Sequence, residues 1–124
     1  MLFRSGTLTA SGTSIVTPSS ATTWTAPQRG TVTDNVASLS FNMNTTNNFK
    51  TTPTATGALT FTNITAGQSG YILLANTSGY AITAAATTKV GTSFLATIST
   101  AGTYLVSYFT DGTNVYCTAS GALS

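Results

Sequence analysis

Apolar and polar residues alternate with a period of two along most of the chain from residue 31 onward. This period indicates β-strands with one buried face, because successive side chains of a strand point to opposite sides of its sheet. The clearest segment is 103–110, where Tyr104, Val106 and Tyr108 share one face. The same pattern predicts further strands at residues 31–41, 49–52, 58–64, 80–83, 92–98 and 113–118. The continuous apolar run at residues 71–75 predicts a strand in the interior of a sheet.

Short polar segments between these strands predict tight turns. Residues 76–79 predict a turn that joins its flanking strands as a hairpin, and Asp111-Gly112 predicts a two-residue hairpin loop. Residues 84–89 are too few and too rich in threonine for a stable helix, so we expect a loop or an irregular strand there. Seven or eight strands at intervals of about ten residues predict an all-β fold, an antiparallel β-sandwich or jelly-roll-like domain.

Residues 1–30 differ from the rest, since their apolar residues are isolated among Ser, Thr and Gly and follow no strand or helix period. We therefore expect an extended N-terminal arm over residues 1–30 and a β-sandwich domain over residues 31–124. The arm cannot bury its own large side chains, so we expect them to contact a neighbouring chain. The alternative is that the arm folds back as edge strands of its own domain, and for Trp24 the two outcomes are equally favoured. The candidate partner-binding residues are Leu2, Phe3, Arg4, Ile15, Val16 and Trp24.

The chain carries very little charge. Charged residues make up 5% of its 124 residues, and the net charge is +2. Non-specific binding of nucleic acid requires clustered cations, whereas Arg4, Arg29, Lys50 and Lys89 are scattered, so nucleic acid is not an expected partner. A weak net charge leaves little repulsion between copies, which favours a protein that works in an assembly.

The residue types that most enzymes need are missing. The sequence has no His and no Glu, and its two carboxylates are Asp34 and Asp111. Asp34 suits a solvent-facing strand position, and Asp111 suits a turn. Cys117 is the single cysteine, so no intrachain disulfide or zinc set is possible, and we expect a small buried residue there. We therefore expect a protein that is not an enzyme, without catalytic residues, metal or cofactor.

Tyrosines are the one remaining source of binding chemistry. Their rings could stack on sugars, or they could pack across strands inside the sandwich, which is the favoured interpretation. The five tyrosines are Tyr71, Tyr80, Tyr104, Tyr108 and Tyr116.

The sequence offers no targeting signal. Its N-terminus lacks the apolar run and small-residue cleavage site of a signal peptide, and no apolar stretch reaches membrane-spanning length. We therefore expect a protein that is made in a cytosol, is not exported by the classical route and has no membrane partner.

The second half of the chain contains a recognisable order of strands and turns. The segment LTFTNITAGQSGYILL at residues 59–74 is followed by Ser78-Gly79-Tyr80 and by a closing apolar strand with an Asp-Gly hairpin at residues 104–116. This order resembles that of virion proteins of tailed bacteriophages, in particular fibre and head-decoration proteins, and the resemblance covers residues 36–124. It implies a β-sandwich virion module that is often trimeric. Many such proteins have a Trp-rich segment that this chain lacks around residues 84–94.

The favoured function is that of a capsid decoration (cement) protein, which stabilises the phage head by bridging capsid subunits. Its expected partners are further copies of itself, as a homo-oligomer and most simply a trimer, and the major capsid protein or another virion protein. The alternative is a tail-fibre, spike or head-fibre module that binds glycans of the host cell surface. In either case the protein would be made in the host cytoplasm and assembled on the virion.

Overall fold

Strands make up nearly all of the regular structure. The computed structural model describes residues 9–10, 13–14, 29–35 and 37–124. Within these ranges the only helix is a segment of five residues, so the predicted all-β fold is confirmed. The six candidate partner-binding residues of the arm lie outside the described residues.

Eleven strands and one helix are assigned in the described ranges. In chain order they are β1 (Thr9–Ala10), β2 (Thr13–Ser14), β3 (Val32–Asp34), β4 (Ser40–Asn42), β5 (Asn48–Thr51), β6 (Gly57–Thr62), β7 (Ser69–Asn76), β8 (Ile82–Ala84), β9 (Thr88–Val90), α1 (Phe94–Ile98), β10 (Gly102–Thr110) and β11 (Val115–Ala119). The short strands β1 and β2 pair with each other in antiparallel fashion.

The strands from β3 to β8 alternate between two sheets. Strands β3, β5 and β7 lie side by side in one sheet, and strands β4, β6 and β8 form the other. All of these pairs are parallel. The chain therefore winds through three successive coils, each of which adds one strand to each sheet, as in a β-solenoid. This parallel stacking differs from the antiparallel sandwich or jelly roll predicted from strand spacing.

A buried asparagine explains why the turn at residues 76–79 does not form the predicted hairpin. The Asn76 side chain is fully buried and binds the backbone of Tyr80 in both directions, donating to its carbonyl at 2.9 Å and accepting from its N–H at 2.9 Å. Asn76 Nδ2 also donates to the Ile98 carbonyl at 2.8 Å. These bonds form a corner that directs the chain from β7 in the first sheet to β8 in the second.

The end of the chain completes the larger sheet with a different kind of pairing. Strand β10 pairs with β7 and with β11 in antiparallel fashion, and β9 pairs with β11 in parallel at the far edge. The six-stranded sheet therefore has the order β3-β5-β7-β10-β11-β9. The predicted hairpin of β10 and β11 is confirmed, and β7 lies in the interior of the sheet as expected.

Residues 94–98 form a helix where the sequence pattern predicted a weak strand at residues 92–98. Phe94 and Ile98 are both buried in the core. Residues four apart lie on the same face of a helix, so one helical turn can bury both side chains. A strand would also place them on one face, because its side chains alternate with a period of two. The pattern of so short a segment does not separate these two possibilities.

Aromatic side chains occupy the core between the two sheets. Phe41 and Phe61 come from the smaller sheet, and Phe49 and Tyr108 come from the larger one. The ring centroids of Phe41 and Phe49 lie 5.2 Å apart, and those of Phe61 and Tyr108 lie 5.4 Å apart. Tilted aromatic pairs at this distance stabilise a fold beyond the gain from area burial. These contacts hold the two sheets together.

The loop between β10 and β11 is longer than predicted. Thr110 pairs with Val115, which leaves four loop residues in place of a two-residue turn. The Asp111 carboxylate accepts hydrogen bonds from the backbone N–H groups of Thr113 and Asn114, at 2.8 and 2.7 Å. Gly112 has a φ of 95°, in the left-handed region that favours glycine.

Substitution of Gly112 should destabilise the protein. A Cβ atom at this position would lie 3.1 Å from the Ala66 Cβ, and a β-branched residue would also be strained by the positive φ. We expect Gly112→Val to lower the free energy of unfolding by about 1–3 kcal/mol, measured by thermal or urea denaturation. Gly121→Val is the matched control, since nothing lies within 4 Å of its Cβ position. Equal melting temperatures for the two variants would contradict this account.

Candidate interaction surface

The outer face of the six-stranded sheet collects the exposed large apolar side chains of the protein. We call this surface the apolar face. It is formed by Val32, Tyr71, Leu73, Leu105, Phe109, Tyr116 and Leu123, which are the seven exposed large hydrophobic residues among those that the structure describes. Their exposed fractions range from 40% for Leu105 to 56% for Val32.

The strand register shows that these residues share one side of the sheet. Paired positions of neighbouring strands point to the same face. Leu73 of β7 pairs with Leu105 of β10, and Phe109 of β10 pairs with Tyr116 of β11. Leu123 is bridged to Thr103, which lies on the same side of β10 as Leu105. The buried residues of β10 alternate with these and point into the core.

Two shallow depressions interrupt the apolar face. One has a volume of about 350 Å³ and lies beside Val32, Tyr71, Leu73 and Leu105. The other has a volume of about 490 Å³ and is bordered by Phe109, Tyr116, Lys89, Ser107 and Thr118. The face is therefore uneven enough to receive protruding side chains of a partner.

The polar groups within the apolar face are bonded to one another. Ser107 Oγ and Thr118 Oγ1 lie 2.7 Å apart in a hydrogen bond. The Tyr116 hydroxyl donates to Asp111 Oδ2 at 2.9 Å, and Ser120 Oγ accepts from the Leu105 N–H at 3.0 Å. Covering this surface would therefore leave these particular groups with their partners.

Charged side chains lie at the two edges of this sheet. At one edge, Lys50 Nζ lies 2.8 Å from Asp34 Oδ2, and both side chains are about half exposed, at 51% and 49%. Lys89 is on the opposite edge strand, where its ammonium donates to the Ala86 carbonyl at 2.7 Å. The central strands β7 and β10 carry no charged residue. The apolar face thus has an uncharged centre between charged edges.

The outer face of the three-stranded sheet has the opposite character. Its residues are small or hydroxyl- and amide-bearing, and the register places them side by side. They are Ser40, Asn42, Ala58, Thr60, Thr62 and Thr83. We call this surface the polar face. The outer face is therefore apolar on the six-stranded sheet and polar on the three-stranded sheet.

The tyrosines divide between the core and the apolar face. Tyr104 and Tyr108 are buried, and their hydroxyls donate to the carbonyls of Thr100 and Asn47. Burial, and to a lesser extent the nearby Cys117, raises the pKa of Tyr108 to about 12. Tyr71 and Tyr116 are exposed on the apolar face. Packing inside the protein is thus confirmed for the first two and wrong for the last two, while Tyr80 is half-buried.

The sequence pattern contained a signal for the apolar face that the strand predictions did not use. Residues 71–75 are a continuous apolar run, and residues 103–110 have Leu105 and Phe109 opposite the core-facing set. Alternation with apolar residues on both sides indicates a sheet that is covered on both faces. Within the part of the chain that the structure describes, one of these faces is covered by the core and the other is exposed.

Neither carboxylate is positioned for acid–base chemistry with a second one. Asp34 forms the ion pair with Lys50 at the sheet edge, and Asp111 binds the hairpin loop and Tyr116. Among the residues that the structure describes, no three His, Cys, Asp or Glu residues are grouped so that they could hold a metal ion.

Cys117 is buried on the inner side of β11. Its exposed fraction is 4%, and burial raises the pKa of its thiol to about 12. A thiol in this environment stays protonated at neutral pH and packs as a small apolar side chain.

This burial predicts slow chemical modification of the folded protein. At neutral pH we expect Cys117 to react with a thiol reagent at least about tenfold more slowly in the native state than in denaturant, because the thiolate is the reactive form. The reaction is followed through the absorbance of the chromophore that the reagent releases. Because Cys117 is the only cysteine, this signal reports on that position alone. Equal rates in native and denaturing buffer would contradict the buried location.

Hydrogen bonds to the Asp111 carboxylate lower its pKa from the usual value of 3.8. The backbone N–H groups of Asn114 and Thr113 contribute most, followed by the Tyr116 hydroxyl. The same contact raises the pKa of Tyr116, since the neighbouring carboxylate disfavours a second negative charge. The charged form of Asp111 therefore favours the folded state.

This shift predicts a stability contribution that depends on pH. A carboxylate whose pKa is lowered in the folded state stabilises that state fully at pH values above its unfolded-state pKa. This stabilisation is lost as the pH falls through the folded-state pKa. We expect Asp111→Asn to lower the melting temperature at neutral pH and the difference from the original protein to shrink in strong acid. Tyr116→Phe removes one donor and should give a smaller change in the same direction. A difference that stays constant with pH would contradict this assignment.

Comparison with known proteins identified no relative of this chain. No protein-family model matches the chain, and no match was found among curated proteins or solved structures. In the described part of the chain, no helix has the length and apolar character needed to cross a membrane.

Proposed function

We propose that this chain is a capsid decoration (cement) protein of a tailed bacteriophage, which stabilises the head by bridging capsid subunits. The observation that carries the proposal is the apolar face, an exposed binding surface on a small protein that lacks the residues of an enzyme site. The phage origin rests on the resemblance of residues 36–124 to fibre and head-decoration proteins. The protein would be made in the host cytoplasm and would act on the virion.

A cement protein works by burying surface at the joints between capsid subunits. A fully buried large apolar side chain contributes roughly 1.5–3 kcal/mol, so the few on each copy provide only a modest gain. The symmetry of a capsid repeats this gain over many equivalent joints, and linked contacts strengthen one another. A small module with an uncharged binding surface suits this task.

The proposed partners are other copies of the chain and the major capsid protein or another virion protein. We propose a homo-oligomer, with a trimer as the expected form. The N-terminal segment 1–30 would contact neighbouring chains through Leu2, Phe3, Ile15, Val16 and Trp24, with Arg4 beside them. Tryptophan is enriched among residues that dominate binding energy at protein interfaces, so Trp24 is the strongest of these candidates.

We further propose that the protein is not an enzyme and does not bind nucleic acid. The sequence lacks His and Glu, and the structure commits Asp34 and Asp111 to other contacts. Its four cations are spread along the sequence, and Lys50 is paired with Asp34, which argues against a basic patch for phosphates.

Exposed aromatic rings support a second candidate function. Tyr71, Phe109 and Tyr116 are each about half exposed on the apolar face, and aromatic rings of this kind can stack on sugars. On this alternative the chain is a tail-fibre, spike or head-fibre module that binds host cell-surface glycans. It would then be present in few copies, at the tail or on a fibre.

The two candidates are separated by counting and locating the protein on the particle. The test compares phage particles with and without it by quantitative gel and by electron microscopy. A cement protein is expected on the head in numbers on the order of hundreds, as capsid symmetry requires, and its removal should lower the temperature at which heads release DNA. A few copies at the tail, with unchanged head stability and measurable glycan binding, would overturn the cement proposal in favour of the alternative.

The same particles test the N-terminal segment. Purified protein is added back to heads that lack it, as the original sequence and as Trp24→Ala in the full-length chain. We expect the variant to bind more weakly while its circular dichroism spectrum and melting temperature stay unchanged. Equal binding of the two proteins would contradict the proposed role of Trp24.

A further inference from the structure

We infer that the apolar face is the surface on which copies of this chain pack on one another. This inference rests on the self-association in the proposed function and adds the surface that carries it. It does not depend on where on a virion the protein is placed. Four observations favour a second copy as the occupant: the size of the face, its charges, its internal hydrogen bonds and its contrast with the polar face.

The size of the apolar face is of the order of a protein interface. Its six strands contain three, four, eight, nine, five and three residues in sheet order. With strands about 4.8 Å apart and a rise of about 3.3 Å per residue, they cover a planar area on the order of 500 Å². This is somewhat less than the roughly 800 Å² that each partner contributes to a standard interface. Apolar patches of a few hundred Å² are often functional on soluble proteins.

The charges of the apolar face favour a partner that is itself nearly uncharged. Strands β7 and β10 at its centre have no charged residue, and Lys50 at one edge is already paired with Asp34. Interfaces typically have an apolar centre and a polar rim, which is the distribution found here. A strongly acidic partner would gain little from such a surface. A second copy brings the same uncharged centre, and a net charge of +2 gives only weak repulsion.

The uncharged polar groups between β10 and β11 do not oppose burial of the apolar face. The hydrogen bond between Ser107 and Thr118 satisfies these hydroxyls within the face, and the Tyr116 hydroxyl is held by Asp111. A buried polar group without a partner destabilises an interface, so groups that keep their bonds can be covered at low cost. The aromatic ring of Tyr116 remains available for packing.

The contrast between the two outer faces gives the orientation of each copy. The polar face has hydroxyls and amides at Ser40, Asn42, Thr60 and Thr62, and it can stay in contact with water. The apolar face instead presents large apolar side chains, with its charged groups at the edges. In an oligomer the apolar faces would therefore turn toward one another, and the polar faces would form the outside.

Charge substitutions on the two faces test this inference. The variants are Leu73→Lys and Leu105→Lys on the apolar face, and Thr60→Lys and Thr62→Lys on the polar face as matched controls. All four positions lie on the outside of a sheet, so the core is untouched. The molar mass in solution is measured by light scattering over a range of concentrations, and circular dichroism and thermal melting verify that each variant folds.

We expect the original protein and both controls to be oligomers of the same mass. Each apolar-face variant should dissociate at a concentration at least about tenfold higher than the original, since losing one buried leucine contact costs about that factor. Leu73→Ser and Leu105→Ser serve as milder variants if the lysine variants fail to fold. A monomeric original protein, or apolar-face variants that keep the oligomeric mass, would overturn the inference.

The outcome is separable from that of the proposed function. An oligomer that depends on the apolar face but is absent from phage heads supports the inference and contradicts the cement proposal. A monomer in solution that binds heads through Leu73 and Leu105 contradicts self-packing and identifies the capsid protein as the occupant. Loss of the oligomer in the full-length variant Trp24→Ala, with no effect of Leu73→Lys or Leu105→Lys, also overturns the inference and assigns the contact to the N-terminal segment.

Discussion

The aromatic contact between the two sheets is the interaction on which the rest of the structure depends. Phe41 and Phe61 meet Phe49 and Tyr108 across the interior, and water is excluded between the sheets. Because side chains alternate along each strand, fixing these residues inward forces their neighbours outward. The apolar face is thus a direct result of the core: with Tyr104 and Tyr108 inside, Leu105 and Phe109 must lie outside.

Local pattern predicted many of the strands, because a period of two is a property of each segment alone. The buried faces of residues 58–64 and 103–110 and the hairpin of β10 and β11 follow from it. It did not show that residues 31–41 divide into β3 and β4 in different sheets. The choice between parallel coils and an antiparallel meander depends on which distant strand becomes the neighbour. Here the hydrogen bonds from the Asn76 side chain to the Tyr80 and Ile98 carbonyls direct the chain into the second sheet. The sequence of the turn alone does not predict such hydrogen bonds.

The candidate site was harder to predict than the fold. Leu73, Leu105 and Tyr116 have the residue types of a core, and only the sheet order shows that nothing in the described part of the chain covers them. The exposure of Tyr71 and Tyr116 follows from the same order. Of the sequence-based candidates, those in the N-terminal segment lie outside the described residues.

The parallel coils also affect how the chain reaches its native state. A hairpin strand meets its partner a few residues later, but β5 and β7 become neighbours only after the whole of β6 and both of its connecting loops have been placed. Closing such long loops precedes the gain from pairing, so folds built in this way form slowly compared with those built from local contacts. During that interval the leucines and tyrosines of the larger sheet are exposed to any chain nearby. The rate of synthesis and the local concentration of nascent chains therefore decide between orderly assembly and aggregation.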